Sequence, residues 1–242
     1  MLLRLEGLTV RFGGVEALSA VDLSLAPGQS LGLMGPNGCG KTTLFNAISG
    51  VVRPDGGRIL LRDRDITGSA VHDIARLGIA RTFQTVRLFA QMTVRDNVRP
   101  AAPQGSAGEE RQIVEHALEA AGLAAKRDVL AGELSLGEQR RLEIARALAR
   151  TPHLVLMDEP TAGLNPEETD ALVELIADAV RPVSGLILIE HKPDVIAALC
   201  PMAILLDRGR TTTAAPPAEL FASAAFRSAY LGVIDGQGGA HP

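Results

Sequence analysis

The nine residues 35–43, which read "GPNGCGKTT", decide the fold class of this chain. They fit the pattern Gly-x-x-x-x-Gly-Lys-Ser/Thr and stand between a short apolar run, 30–34, and a helix-like pattern, 41–50. A strand before and a helix after are the context that identifies a phosphate-binding loop. Its glycines let backbone N–H groups curl around phosphate oxygens, and the helix N-terminus adds partial positive charge. The stretch predicts a nucleotide-binding α/β fold rather than a glycine-rich turn that caps an ordinary helix.

The lysine at position 41 is unusual here, because three of the 24 basic residues are lysine and the rest are arginine. A lysine ammonium is a compact charge that can reach β- and γ-phosphates, whereas the arginine fork is bulkier. The hydroxyl of the next residue, Thr42, stands where Mg²⁺ would bind. The predicted nucleotide-binding residues of the loop are Gly35, Pro36, Asn37, Gly38, Cys39, Gly40, Lys41, Thr42 and Thr43.

Two acidic residues end the apolar run "LVLMDE" (154–159). Asp158 can orient Mg²⁺ through water, and Glu159, whose side chain points elsewhere, can polarise an attacking water as a general base. A strand that simply ends in surface acids is the alternative, and it is common. With a phosphate-binding loop upstream, the metal and base roles are favoured.

Composition limits the remaining possibilities. The chain has 242 residues, a hydrophobic fraction of 46% and a net charge of −4, which describe a globular protein without the basic footprint of a nucleic-acid binder. Two cysteines make no disulfide framework and favour a reducing compartment. The N-terminus lacks the apolar core of a signal peptide, and no run approaches the roughly 18 residues that span a bilayer.

The pattern along the chain predicts one domain over 1–242 with an insert. Short apolar runs at 153–159, 185–190 and 202–207 are typical of strands buried on both faces. From about 85 to 150 the sequence turns helical, with arginine-rich faces that we expect to point outward. The run 57–66 predicts a further strand, and 235–242 a frayed tail.

One longer stretch, "LSLGEQRRLEIARAL" (134–148), resembles the signature motif of ABC-type ATPases and its following helix. The family's other motifs stand in order. Phe12 occupies the adenine-stacking position, Gln84 the Q-loop, "DEPTAGLNP" (158–166) the Walker B end and D-loop, and His191 the switch histidine. The resemblance covers about 3–233. Without the other motifs, Phe12 would be interpreted as a core residue and His191 as a surface residue.

The resemblance implies a P-loop NTPase core with an antiparallel β subdomain and a helical subdomain that carries the signature. It also implies ATP and Mg²⁺, with Glu159, His191 and Gln84 as catalytic residues and Thr42, Gln84 and Asp158 at the metal. Two such cassettes close head to tail, so that Ser135, Leu136, Gly137 and Glu138 contact the partner's ATP. Independently, Ser135 and Glu138 have the spacing of a helix capping box. Both interpretations can hold together.

Two positions depart from the family consensus, Leu136 where glycine is usual and Asn165 where aspartate is usual. Both departures resemble those of one subgroup, the ATP-binding subunits of branched-chain amino-acid importers. Four stretches of sequence resemble the same subgroup, at 78–89, 140–148, 162–169 and 229–232. Urea or amide importers, lipid or lipopolysaccharide exporters and non-transport ABC ATPases remain alternatives. A P-loop kinase or GTPase would need neither the signature nor the histidine.

The importer resemblance implies partners and a location. These are a second cassette, identical or paralogous, permease subunits, and indirectly a periplasmic solute-binding protein, at the cytoplasmic face of a bacterial inner membrane; no nucleic acid is expected. Leu88, Phe89 and Met92 are expected to meet the permease, although packing into the insert's own core is the alternative, for Met92 an equal one. Cys39, beside Lys41 at a helix N-terminus, is predicted to have a lowered pKa and to react with maleimide unless ATP protects it.

Overall fold

The computed structural model describes residues 1–103 and 105–231. Ten strands lie within this part: β1 (Leu3–Phe12), β2 (Val15–Leu25), β3 (Ser30–Met34), β4 (Gly56–Leu61), β5 (Arg64–Asp65), β6 (Ile79–Arg81), β7 (Leu154–Asp158), β8 (Gly185–Ile189), β9 (Met202–Asp207) and β10 (Arg210–Thr211). They form an antiparallel sheet in the order β2-β1-β4-β5 and a larger sheet in the order β10-β9-β3-β8-β7-β6, which is parallel except for β10. The predicted tail at 235–242 lies outside the described residues.

The same part of the chain contains nine α-helices: α1 (Lys41–Ile48), α2 (Val71–Arg76), α3 (Val94–Val98), α4 (Ala107–Ala120), α5 (Leu136–Ala149), α6 (Pro166–Leu175), α7 (Pro193–Leu199), α8 (Pro217–Ala222) and α9 (Ala224–Leu231). A π-helical turn, Ile176–Val180, extends α6, and short 3₁₀ turns occupy Arg99–Ala101, Ala124–Lys126 and Ala131–Glu133. None of the helices in the described part has both the length and the apolar character that crossing a bilayer requires.

The parallel sheet is buried on both faces, which explains its unbroken apolar runs. Alternate residues of β7 and β8, such as Leu156 and Ile187, pack toward α1 and the antiparallel sheet. Their neighbours, Val155 and Leu188, pack in a second cluster with α6 and α7. Burial of such a side chain stabilises the fold by about 1.5–3 kcal/mol. A period-2 alternation is therefore absent from these strands, as expected for a two-sided sheet.

A third apolar cluster joins α3, α4 and α5, and includes Val98, Leu118 and Leu142. This cluster lies in the segment predicted to be a helical insert. Each of the longer helices starts at a side-chain cap, with a capping box at Ser106 for α4 and at Ser135 for α5. The cap satisfies backbone N–H groups that the helix leaves unpaired. The division of the chain into an α/β core and a helical insert at about 85–150 stays a prediction.

The run 57–66 was predicted as one strand, and this is wrong. It forms a hairpin of β4 and β5. The turn residues Arg62 and Asp63 both have positive φ, at 50° and 63°. Two successive positive φ values are the geometry of the tight turns whose twist matches a β-hairpin. The polar residues of this turn were the available indication of a hairpin. The turn lacks the glycine that usually marks such a turn.

Candidate functional site

The loop 35–43 lies at the carboxyl edge of the parallel sheet, between β3 and α1. Gly35 has a φ of 154°, and a Cβ there would stand 2.1 Å from the carbonyl oxygen of Leu206. Gly40 has a φ of 113°, and its Cβ would stand 2.7 Å from the carbonyl oxygen of Ala17. Both backbone conformation and space therefore require glycine at these two positions.

Lys41 opens α1 and turns back into the loop. Its Nζ donates hydrogen bonds to the carbonyl oxygens of Gly35, at 2.6 Å, and of Pro36, at 3.0 Å. The residue is buried, with 7% of its surface exposed. The ammonium thus fills the loop that was predicted to bind phosphates, and a phosphate oxygen offers it a stronger, charged acceptor.

Cys39 contradicts the prediction of a lowered pKa. Its side chain is buried, and desolvation of the thiolate raises the pKa of the thiol. The charge of Lys41, whose Nζ lies 4.0 Å from Sγ, opposes this effect without overcoming it. The helix N-terminus and the neighbouring lysine were visible in the sequence, but the burial was not.

We therefore expect slow labelling of Cys39 by a maleimide in the folded protein, at least about tenfold slower than in the unfolded chain, because burial and a raised pKa both reduce accessible thiolate. Mass spectrometry of the labelled peptides measures both rates, and the buried Cys200 provides an internal comparison. Adding ATP should change the Cys39 rate little. Rapid labelling of the native protein that ATP suppresses would restore the original prediction.

Glu159, His191 and Gln84 form one hydrogen-bonded cluster. One carboxylate oxygen of Glu159 is 2.8 Å from Nε2 of His191, and the other accepts a bond of 2.9 Å from Nε2 of Gln84. A carboxylate only accepts, so the imidazole Nε2 carries the proton in this contact. Glu159 has a φ of 48°, a strained value for a residue with a side chain.

The strand order explains why these residues meet. In the order β3-β8-β7-β6, the loop 35–43 follows β3, His191 follows β8, Glu159 follows β7 and Gln84 follows β6. Parallel strands present their carboxyl ends at one edge of a sheet, where α/β proteins bind ligands. Residues far apart along the chain are therefore aligned side by side.

Asp158, the last residue of β7, is buried beside Arg81, with their charged groups 3.6 Å apart. Burial raises the pKa of the Asp158 carboxyl, and the charge of Arg81 opposes this. Arg81 also donates to Oδ1 of Asn46, at 2.7 Å, and to Oγ of Ser49, at 3.1 Å. It thereby connects the end of α1 to the acidic end of β7. Sequence reasoning missed Arg81; an arginine inside the apolar run "GIAR" was the available signal.

The helix α5 holds the backbone around Gln84 with buried charged side chains. Arg140 donates to the carbonyl oxygens of Phe83, at 2.9 Å, and Gln84, at 2.6 Å. Glu143 accepts from the N–H of Arg87 at 3.2 Å and pairs with Arg140 at 3.1 Å. The expected arginine-rich outer face is therefore wrong at Arg140, which is 5% exposed. The Arg140 guanidinium is buried because its hydrogen-bond acceptors are carbonyl oxygens of the loop around Gln84, which packs against α5.

The predicted signature residues open α5 as a capping box. The N–H of Ser135 donates to the Glu138 carboxylate at 3.1 Å, and the N–H of Glu138 donates back to the Ser135 hydroxyl at 3.3 Å. Lys126 also pairs with Glu138 and, as the largest contribution, lowers the pKa of that carboxyl. Leu136 is exposed by 39%, whereas Gly137 is buried, where a Cβ would approach the Glu168 carboxylate at 3.1 Å.

The structure also shows where two other positions from the sequence analysis, Phe12 and Asn165, lie. Phe12 ends β1, and the residue is 51% exposed, as an aromatic platform for a ligand requires. Asn165 caps α6 through a capping box with Glu168. Asparagine therefore performs the capping that aspartate would perform at this position.

The segment after Gln84 divides between core and surface. Leu88 packs against the apolar cluster of α3, α4 and α5. Phe89 and Met92 are exposed, by 54% and 36%. Phe89 lines a groove of about 410 Å³ together with Arg146 of α5 and Arg150, which follows this helix. We name this the Phe89 groove. It adjoins the backbone that Arg140 and Glu143 hold.

Known proteins resemble this chain in sequence and in fold. A sequence model described as "ABC transporter" matches residues 18–162. The chain is 38% identical to the high-affinity branched-chain amino acid transport ATP-binding protein LivG of Escherichia coli strain K12, over 96% of this chain and 98% of that protein. It is 38% identical to the lipopolysaccharide export system ATP-binding protein LptB of Acidithiobacillus ferridurans, over 88% and 89%. Among solved structures, the ADP conformation of an ATP-binding cassette of an ABC transporter superposes with a TM-score of 0.85 at 29% identity, covering 96% and 98%.

Proposed function

Because this chain belongs to the ABC transporter family of ATP-binding proteins, we propose that it is the ATP-hydrolysing subunit of an importer for branched-chain amino acids. The observation that carries the solute class is the similarity to LivG, which extends over 96% of this chain and 98% of the relative. The similarity to LptB has the same identity but covers 88% of this chain. A lipopolysaccharide exporter is therefore the second candidate.

ATP binding begins with an exchange of partners at Lys41. The ammonium leaves the carbonyl oxygens of Gly35 and Pro36, which it contacts in this structure, and moves to β- and γ-phosphate oxygens. The N–H groups of 38–43 and the N-terminus of α1 receive the remaining phosphate charge. The exposed ring of Phe12 provides a face on which adenine can stack.

Hydrolysis uses the cluster around Glu159. Its carboxylate accepts a proton from the attacking water as the water oxygen bonds to the γ-phosphorus and the bond to the β–γ bridging oxygen breaks. Each oxygen of Glu159 has one partner, His191 or Gln84, and keeps a second lone pair for the water. His191 is placed to stabilise the γ-phosphate as charge redistributes.

Mg²⁺ fits the oxygen donors at this edge of the sheet. Gln84 donates through its amide nitrogen to Glu159, which leaves its amide oxygen as a ligand. The hydroxyl of the exposed Thr42 and the carboxylate of Asp158 complete the predicted set. Hard oxygen ligands of this kind suit Mg²⁺. When bound, the ion would neutralise charge on the β- and γ-phosphates.

A second cassette completes each ATP site in the proposed assembly. Among the described residues, no hydrogen bond joins the signature residues 135–138 to the loop 35–43 of the same chain. The backbone N–H groups at the start of α5 form an anion-binding helix terminus that the partner's γ-phosphate can occupy. Head-to-tail pairing supplies that phosphate.

The Phe89 groove is the surface that we propose for a permease subunit, at the cytoplasmic face of the membrane. An exposed phenylalanine beside a groove is typical of an interface anchor. The backbone of Gln84 and Arg87, held by α5, links this groove to the Glu159 cluster. A permease that moves Phe89 therefore also moves Gln84. A periplasmic binding protein would deliver the solute from the other side.

Uptake measurements test the proposal directly. Labelled leucine and labelled urea are supplied to a strain that lacks this gene, with the gene restored as wild type or as Glu159→Gln. We expect leucine uptake to fall by at least about tenfold and only the wild-type gene to restore it, because the base is required for turnover. Loss of urea uptake alone would still support an importer subunit, and the proposed solute would change from branched-chain amino acids to urea. Normal uptake of both, with defective lipopolysaccharide export, would support the second candidate.

The same strain tests the Phe89 groove. Restoration with Phe89→Asp should leave uptake low, whereas the purified variant keeps the wild-type ATPase rate, because a charge at an apolar contact weakens docking. Val183→Asp is the matched control, since Val183 is exposed by 62% and lies after the π-helical turn, away from Gln84. Full uptake by the Phe89 variant would place the permease contact elsewhere.

A further inference from the structure

The C-terminal helix α9 reaches back to the first residue of the nucleotide-binding loop. The phenol oxygen of Tyr230 accepts a hydrogen bond of 2.9 Å from the backbone N–H of Gly35, which lies 195 positions earlier. Tyr230 is the only tyrosine of the chain, and the chain has no tryptophan. Burial raises the pKa of this phenol, so it stays neutral at physiological pH.

Neighbouring aromatic rings hold Tyr230 in this position. The ring of Phe226 stacks on it, with centroids 4.5 Å apart, and Phe221 packs against Phe226 at 5.3 Å. All three rings pack on the apolar cluster between the parallel sheet and α7. Stacked aromatic pairs stabilise such a cluster beyond their buried area. The phenol therefore meets Gly35 from a packed aromatic cluster.

Hydrogen bonds hold Gly35 from two sides. Tyr230 accepts from its N–H, and Lys41 donates to its carbonyl oxygen at 2.6 Å. No side chain of its own can position this residue, because a Cβ would stand 2.1 Å from the carbonyl oxygen of Leu206. Two side chains from distant parts of the sequence thus fix the point where β3 becomes the loop.

We propose that Tyr230 is a positioning residue for nucleotide binding, an inference that rests on the proposed function. Among the described residues, Lys41 and Tyr230 supply the side-chain hydrogen bonds to Gly35. A phosphate competes with the carbonyl oxygen of Gly35 for the Lys41 ammonium. Loss of the Tyr230 bond then costs more than it does while both bonds are made, because neighbouring interactions on one residue are coupled. The C-terminal helix thereby sets part of the affinity for ATP and ADP.

Tyr230→Phe removes the hydroxyl and keeps the ring. We expect Kd for Mg-ATP and Mg-ADP to rise by about 3- to 10-fold, the size of a coupling between two neighbouring hydrogen bonds, with kcat at saturation unchanged. Calorimetric titration gives both affinities. Ser184→Ala is the matched control, because it also removes one buried hydroxyl, which donates to the carbonyl oxygen of Val180 at 3.0 Å and contacts neither α9 nor Gly35. It should lower the melting temperature and leave both affinities unchanged.

The single tyrosine provides a second readout that needs no substitution. In the wild-type protein, tyrosine emission should change on titration with Mg-ADP and saturate at the calorimetric Kd, because the phenol contacts the loop that binds the phosphate. A wild-type affinity in Tyr230→Phe overturns the inference. If that variant does not fold, an emission independent of nucleotide overturns it. A wild-type protein that binds no nucleotide would instead refute the proposed function.

Discussion

Replacing Glu159 with glutamine should lower the rate of ATP hydrolysis by at least about 100-fold while ATP still binds. The amide keeps the size of the side chain and the positive φ of 48° at this position. It cannot accept a proton from water at neutral pH. The hydrogen bonds to Gln84 and His191 show that the carboxylate is held in place, and the substitution changes its chemistry and not its location.

Phosphate release by the purified protein and calorimetric ATP binding measure the two halves of this prediction. Glu174→Gln, on the exposed side of α6, is the matched control and should hydrolyse ATP at the wild-type rate. A Glu159 variant that keeps its rate within about tenfold of wild type would assign the proton acceptor elsewhere, because general base catalysis contributes at least about 100-fold.

Lys41→Arg should weaken nucleotide binding by about 100-fold or more, although the charge is retained. The ammonium occupies a buried position, 7% exposed, within hydrogen-bond distance of two carbonyl oxygens of the loop. A guanidinium is larger and planar, and it does not fit that space without moving the loop. Losing one charge-assisted bond to phosphate costs about 1.5–3 kcal/mol, and the distorted loop adds to this.

Calorimetric titration with Mg-ADP measures the affinity, and circular dichroism confirms that the variant folds. Lys192→Arg is the control for the same change of residue type, because the Lys192 ammonium contacts Thr169 on α6 rather than the loop. A Lys41→Arg protein that binds within about fivefold of wild type would show that any cation suffices, contrary to the difference between the two side chains.

The sequence alone determined those features that depend on local backbone chemistry. The glycines of 35–43, the lysine at the helix start and the strand before it already predicted the loop. The capping box at Ser135 was visible from its spacing and is present in the structure. The apolar runs predicted strands buried on both faces, and β7, β8 and β9 confirm this. Each of these features is decided within about ten residues, because φ/ψ preferences and capping act over short range.

The tertiary structure alone decided what surrounds each charged or polar group. Desolvation raises the pKa of Cys39, although its neighbours in sequence predicted the opposite. Arg140 is buried because a loop more than 50 residues earlier supplies carbonyl oxygens for it. Tyr230 meets Gly35 because α9 packs on the face of the sheet beside β3. Burial and long-range hydrogen bonds depend on which segments meet in space, and residue spacing along the chain does not encode that directly.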